Sequence, residues 1–415
     1  MNAKTSYKLA IGILAVVAAV GVGAWIYQLM NGLGVTGMNN GTSWGLYITC
    51  FMFFVGLSAG GLIVASSASV FHVAQFKKVA LPAVILSTVC ICCAGLFVLI
   101  DLGGIQRIWN LLLTPNLMSP LFWDICVITC YLVINVLYLY FMTSKRANPR
   151  VVSVISRFAL PIAILVHSVT AWIFGLQIAR EGWYSAIMAP IFVASAMDSG
   201  LALLLIVLVA LSATKVFDLG KKLMGTLAGL LATCIAVDAF FIGCEILTAA
   251  YPQTAGAQAL LGEMFTGTTA PFFWIEMVFG LAIPFLILVF VRNRQRTGLV
   301  MLASGMVVVG VFFKRVWLLF TSFIHPNIYG APGISSGSSA GVHAGDIGIW
   351  SLLGAYGPTW VEIVVVIGVV ALGSLAFLVL ANKLLKRGVV GGANAASGVD
   401  ASTSTGSAPA VVPTV

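Results

Sequence analysis

Residues 44 to 73 read WGLYITCFMFFVGLSAGGLIVASSASVFHV, a run without one Asp, Glu, Lys or Arg. A helix crossing the hydrocarbon core of a bilayer needs roughly 20 apolar residues, and this run exceeds that. Outward from it the pattern repeats. Apolar runs cover 8 to 30, 44 to 73, 80 to 100, 119 to 143, 158 to 180, 190 to 213, 223 to 250, 270 to 292, 297 to 323 and 358 to 382. They predict an all-α polytopic membrane protein with about ten transmembrane helices. The composition agrees, with 60% hydrophobic residues, 8% charged and a mean hydropathy of +1.09, far from the makeup of soluble domains.

The charges fix an orientation. Of the 21 Lys and Arg residues, all but Arg107, Arg180, Lys314 and Arg315 fall in clusters on one side of these runs: Lys4 and Lys8, Lys77 and Lys78, Lys145 to Arg157, Lys215 to Lys222, Arg292 to Arg296, and Lys383 to Arg387. By the positive-inside rule that side is cytoplasmic, which puts both termini in the cytoplasm and turns 101 to 118, 251 to 269 and 324 to 357 outward. The setting is a bacterial inner membrane. A net charge of +9 arises from these clusters and not from a continuous basic face, so no nucleic acid is implied. Residues 1 to 387 form the membrane domain. The first run also has the form of a signal peptide, whose removal would leave nine helices. Residues 388 to 415, rich in Gly, Ala, Ser and Thr, bury too little apolar surface to fold and are predicted to be a disordered cytoplasmic tail.

Several motifs mislead. Gly32-Leu-Gly-Val-Thr-Gly37 matches the dinucleotide fingerprint in form but sits between two membrane helices, without the strand that motif needs. Gly56, Gly60, Gly61 and the Gly225/Gly229 pair fit helix packing in lipid. The eight cysteines lie in apolar runs as small hydrophobes, with no metal-ligand spacing. His72, His167, His325 and His343 do not pair across helices as b-haem ligands would. No metal, haem or iron-sulfur cluster is expected in this chain.

The informative residues are the ionisable ones inside the runs, each costing several kcal/mol in hydrocarbon. They are Asp124, Asp198, Asp238, Glu245, Glu276 and Glu362, against Lys314 and Arg315, with His167 as a further basic group. Six carboxylates facing two fixed cations cannot all be ionised. Asp124, Glu245, Glu276 and Glu362 lie roughly 6 to 9 Å below the outer boundary and His167 and Asp238 roughly 18 to 20 Å, counting 1.5 Å per residue. A polar cavity opening outward is therefore predicted. Asp238 and Glu245, seven apart, share a helix face and form consecutive proton-transfer steps, with Glu276 as a third candidate. On the inner side only neutral groups such as Asn135, Tyr138 and Tyr140 remain to carry waters. Plainer roles stand beside these: Asp124 and Glu362 as interfacial residues, Lys314 and Arg315 as charge-balancing partners, His167 as a packing histidine.

WGLYITCFMFFVGLSAGGLI (44 to 63), DLGGIQRIWNLLLTPNLMSPLFWD (101 to 124), HSVTAWIFGLQIAREGWYSAIMAP (167 to 190), FFKRVWLLFTSFIHPNIYGAPG (312 to 333) and YGPTWVEI (356 to 363) resemble, in order and spacing, the NrfD/PsrC family. These are membrane subunits of polysulfide reductase and related complexes, and the likeness is to the ten-helix members found in alternative complex III and in sulfur-metabolism complexes. The resemblance implies two four-helix bundles, helices two to five and six to nine, with an extra helix at each end. It implies a redox-inert chain that binds menaquinone or ubiquinone in the outer half of the membrane. It further implies an extracytoplasmic, ferredoxin-like iron-sulfur subunit and a molybdenum or multihaem catalytic subunit as partners. Asp101 and Arg107 match the family's Asp-Leu-Gly to Arg segment, and His167 its fifth-helix histidine, so the quinone-binding candidates are His167, Asp198, Asp101 and Arg107.

The function expected is a quinone-handling subunit of a respiratory oxidoreductase with linked proton transfer. The alternatives are an ion-coupled secondary transporter, disfavoured because Pro190 and Pro284 do not bracket the mid-membrane acids, and a redox-silent anchor, which needs no such acids. Segment 324 to 357 is the main docking candidate.

Overall fold

The computed structural model describes residues 3–39, 42–71, 73–144, 149–324 and 356–396. Among the described residues ten helices are long and apolar enough to span a membrane. We number them α1 Ala3–Asn31, α2 Leu46–Val70, α3 Lys77–Asp101, α4 Pro120–Thr143, α5 Pro149–Gly175, α6 Met188–Ala213, α7 Lys221–Ala250, α8 Ala270–Val289, α9 Thr297–Ile324 and α10 Trp360–Ala396. The described residues contain no strand. Residues 325–355 and 397–415, with His72, His325, His343 and most of the proposed docking segment and tail, lie outside them.

Helices α2 to α5 pack as one bundle and α6 to α9 as a second, joined where α2 meets α6 and α9 and where α5 meets α6. The two end helices pair with each other, and α10 leans on α3. Lipid offers little hydrophobic drive for such contacts, so backbones approach where side chains are smallest. Three glycine pairs do this. A Cβ on Gly21 of α1 would collide with Gly368 Cα of α10, one on Gly60 of α2 would lie 2.5 Å from Gly200 Cα of α6, and one on Gly280 of α8 2.8 Å from Gly310 Cα of α9. Gly225 and Gly229 do otherwise: they make room for the Gln295 and Arg294 side chains of the α8–α9 connection.

Lys78, at the start of α3, pairs with Asp218, just before α7, at 3.2 Å, so these connections share one face, here the basic face. Three features depart from the predicted runs. Helix α5 begins at Pro149 and takes in Arg150 and Arg157, since an interfacial turn tolerates charge. Helix α8 is π-helical over Ile275–Ala282, then resumes with Pro284 in its first turn. On the face opposite the basic one, 251 to 269 is not a plain loop but contains a helix, Ala255–Thr266, capped by the Thr254 hydroxyl, which accepts from Ala257 N–H at 3.4 Å.

Candidate functional site

The second bundle encloses a charge cluster. Lys314 of α9 is fully buried and donates to both carboxylate oxygens of Asp238 of α7 at 2.8 Å, while Glu276 Oε1 of α8 lies 3.4 Å away. The second Glu276 oxygen accepts from Trp317 Nε1 at 2.5 Å. The π-helical turn begins beside Glu276, and a wide turn of this kind re-aims a side chain relative to a regular helix. Trp317, one turn beyond Lys314, was legible as a same-face neighbour; its bond to Glu276 was not.

A cavity of about 430 Å³ runs from the far face down to Lys314. The Ala255–Thr266 helix covers it with Ala257, Leu260, Leu261 and Met264, and α6 and α7 add Ile191, Ile242 and Ile246. Into these apolar walls project Lys314, Trp317, Thr321, Ser322 and Glu245. Glu245 is half-buried and accepts from Ser185 Oγ at 2.7 Å. Ser185 carried no signal in the sequence. Apolar walls with a few converging polar groups are the usual makeup of a small-molecule site.

Asp198 and Arg315 lie behind the cavity. Both are fully buried, and neither forms an ion pair among the described residues. The Asp198 oxygens have no hydrogen-bond partner. Arg315 donates to Ser195 Oγ at 2.5 Å and stands 4.2 Å over the Phe192 ring, leaving Nε and Nη1 without partners. Its guanidinium reaches the bundle interface, where a Cβ on Gly56 would be 3.8 Å from Nη2. His167 is buried in the first bundle with Nδ1 2.9 Å from Ala163 O and Nε2 3.1 Å from Val55 O. A neutral imidazole donates to only one of those carbonyls. His167 and Asp198 are not among the cavity's lining residues.

The first bundle holds separate polar groups. Asp124 accepts from Thr170 Oγ1 at 2.6 Å. Toward the basic face, Ser58, Ser87 and Tyr131 bond one another at 2.7 to 3.2 Å, and Asn135 donates to Tyr131 O. Tyr140 is exposed on the surface of the bundle. At the far end of this bundle Asp101 is half-buried with one oxygen unpartnered, and Arg107 is exposed on a short turn, without an ion pair between them. Beside them Glu362 is buried and accepts from Gly37 N–H at 2.8 Å, Thr359 N–H at 2.9 Å and Tyr356 O–H at 2.6 Å. The Tyr356 oxygen in turn accepts from Leu46 N–H at 2.7 Å. Burial, then the Glu362 carboxylate, pushes the Tyr356 phenol up, which keeps it a donor.

The structure thus gathers Asp238, Glu245, Glu276 and Lys314 at or beneath one cavity, places Asp198 and Arg315 behind it, and leaves His167, Asp101 and Arg107 in the other bundle.

The chain matches the family model for polysulphide reductase, NrfD, over residues 34–327. It is 37% identical over 387 residues to a putative dimethyl sulfoxide reductase membrane subunit of Halobacterium salinarum, covering 88% of each chain. It is 29% identical to the Hdr-like menaquinol oxidoreductase integral membrane subunit of Archaeoglobus fulgidus, covering 88% of this chain and 90% of that one. A selenate reductase subunit of Mesobacillus selenatarsenatis is 26% identical, over 78% and 84% of the two chains.

Proposed function

We propose, since this chain belongs to the polysulphide reductase NrfD family, that it exchanges electrons between the membrane quinone pool and a partner subunit docked on the face opposite the basic one. As a family member it is a membrane subunit of a reductase-type oxidoreductase complex. The Archaeoglobus fulgidus relative is by name a menaquinol oxidoreductase subunit, which favours menaquinone over ubiquinone. We place the basic face and both termini in the cytoplasm. The partner on the outer face is then a ferredoxin-like iron-sulfur protein, with a molybdenum or multihaem subunit beyond it.

The cavity above Lys314 carries this reading. Its volume suits a quinone head group, its apolar walls suit the ring, and its polar groups converge at one end. A bound quinone supplies two-electron chemistry tied to two protons. The chain supplies the rest. Lys314 N–H can orient a head-group oxygen, and Glu245, held by the Ser185 hydroxyl, can take up a proton near the outer surface. Asp238 and Glu276 hold Lys314 in place and are proposed as the next proton acceptors inward. His167 and Asp198 act at one remove, and the Asp101/Arg107 mouth is the competing head-group position. Ion-coupled transport draws support from the π-helical turn at Glu276, since helix irregularity at a buried charge also marks transporter sites.

Filling the cavity with Ile191→Trp or Leu261→Trp in the assembled complex should remove co-purifying quinone and quinol-dependent turnover. Full quinone content and turnover in both variants would reject the cavity; loss only in Asp101→Asn and Arg107→Gln would move the head group to the first bundle. A cation dependence without bound quinone would favour transport.

A further inference from the structure

The core of the second bundle holds three carboxyl groups and two basic groups that do not balance. Asp198, Asp238 and Glu276 oppose Lys314 and Arg315, and all five are fully buried. If every one were ionised, the enclosure would carry an uncompensated negative charge, which a medium of low polarity strongly disfavours. One proton removes it, and the hydrogen bonds say where that proton sits. Asp238 accepts two bonds from Lys314. Glu276 accepts from Trp317 and has Lys314 at 3.4 Å. Asp198 accepts none. A carboxylate without donors is the one most costly to ionise.

We infer that Asp198 is a proton store, a neutral carboxylic acid while Lys314 is engaged by Asp238 and Glu276, and that Arg315 is the counter-charge held ready for its carboxylate. The unused Nε and Nη1 donors of Arg315 then have a purpose. Ser195, to which Arg315 is tethered, lies one turn of α6 before Asp198, so the guanidinium is already held on the right helix. The ionisable groups facing Asp198 are Asp238 and Cys234 on α7, Glu276 on α8 and Lys314 on α9, and His167 of α5 faces Arg315 from across the interface. Release breaks the Asp198 O–H bond and forms one on Asp238. The negative charge left on Asp198 meets Arg315, the hold of Asp238 on Lys314 loosens, and no electron moves. From Asp238 the proton replaces one that the Lys314 ammonium gives up to the cavity.

This store exists with or without a quinone, so its test uses none and stands apart from the fate of the cavity reading. Infrared spectra of the full chain in lipid vesicles, in H2O and in D2O, report protonated carboxyl groups by their C=O stretch. At neutral pH the wild-type chain should show such a band that is lost in Asp198→Asn and retained in Asp124→Asn. Glu276→Gln should abolish the same band although Asp198 is present, because two carboxylates then balance two cations. Arg315→Gln should add a second protonated carboxyl. If Asp198→Asn does not assemble, the Glu276→Gln and Arg315→Gln spectra decide. Retention of the band in Glu276→Gln, or no added band in Arg315→Gln, overturns the store.

Discussion

At the residue scale the decisive group is Lys314, a buried ammonium shared by two carboxylates on different helices. Removing one partner of a buried ion pair leaves an uncompensated charge and costs about 3–5 kcal/mol. Lys314→Met should therefore be among the most destabilising single changes in the chain, read as a lowered midpoint of thermal aggregation in detergent. Trp317→Phe keeps the ring against Phe273 but takes a donor from Glu276, and should cost about 1–3 kcal/mol in the same assay. Glu245→Gln should leave assembly intact and lower quinol-dependent turnover by about 10²- to 10⁴-fold, the scale of a lost proton-transfer group; unchanged turnover would remove Glu245 from the proposed function. Each charged member of this cluster was legible in the sequence as an expensive intramembrane side chain. Their partnership was not, because Asp238 and Lys314 are 76 residues apart. Counting depth from helix ends also separated Glu276 from Asp238, since α7 and α8 end at different heights.

At the element scale the glycine crossings set how closely helices approach. Gly60→Val and Gly200→Val should each force α2 from α6 and cost about 1–3 kcal/mol or more, the range for overpacking. Gly95→Ala and Gly243→Ala meet nothing within 4 Å and should be neutral or slightly stabilising by the same thermal measurement. The ten spans were readable from apolar run length alone. Two elements were not. The π-helical turn of α8 has no periodicity to betray it, for it answers to the close Gly280–Gly310 contact and to Pro284, which lacks an N–H for the ladder. The helix over the cavity, at 12 residues, is too short to span a bilayer and gives no membrane signal. Its traces in the sequence are Thr254 as a cap and the buried Ala257, Leu260, Leu261 and Met264 at helical spacing.

At the scale of the whole molecule, the cavity mouth and the Asp101/Arg107 end of the first bundle lie on the same face, opposite the lysine and arginine clusters. With Pro252→Cys and Lys221→Cys, an impermeant thiol reagent applied to intact cells should label the first and spare the second; the reverse would invert the proposed topology. The eight native cysteines lie within the spans and leave little background. The pairing of α1 with α10 has a consequence for how the chain is made. The ribosome delivers α1 well before α10, so the Gly21 face of α1 waits in lipid through the synthesis of every helix between. Only when Gly368 emerges does the clasp close, and a chain stopped short of α10 would expose both that face and the flank of α3 to the quality-control proteases of the membrane.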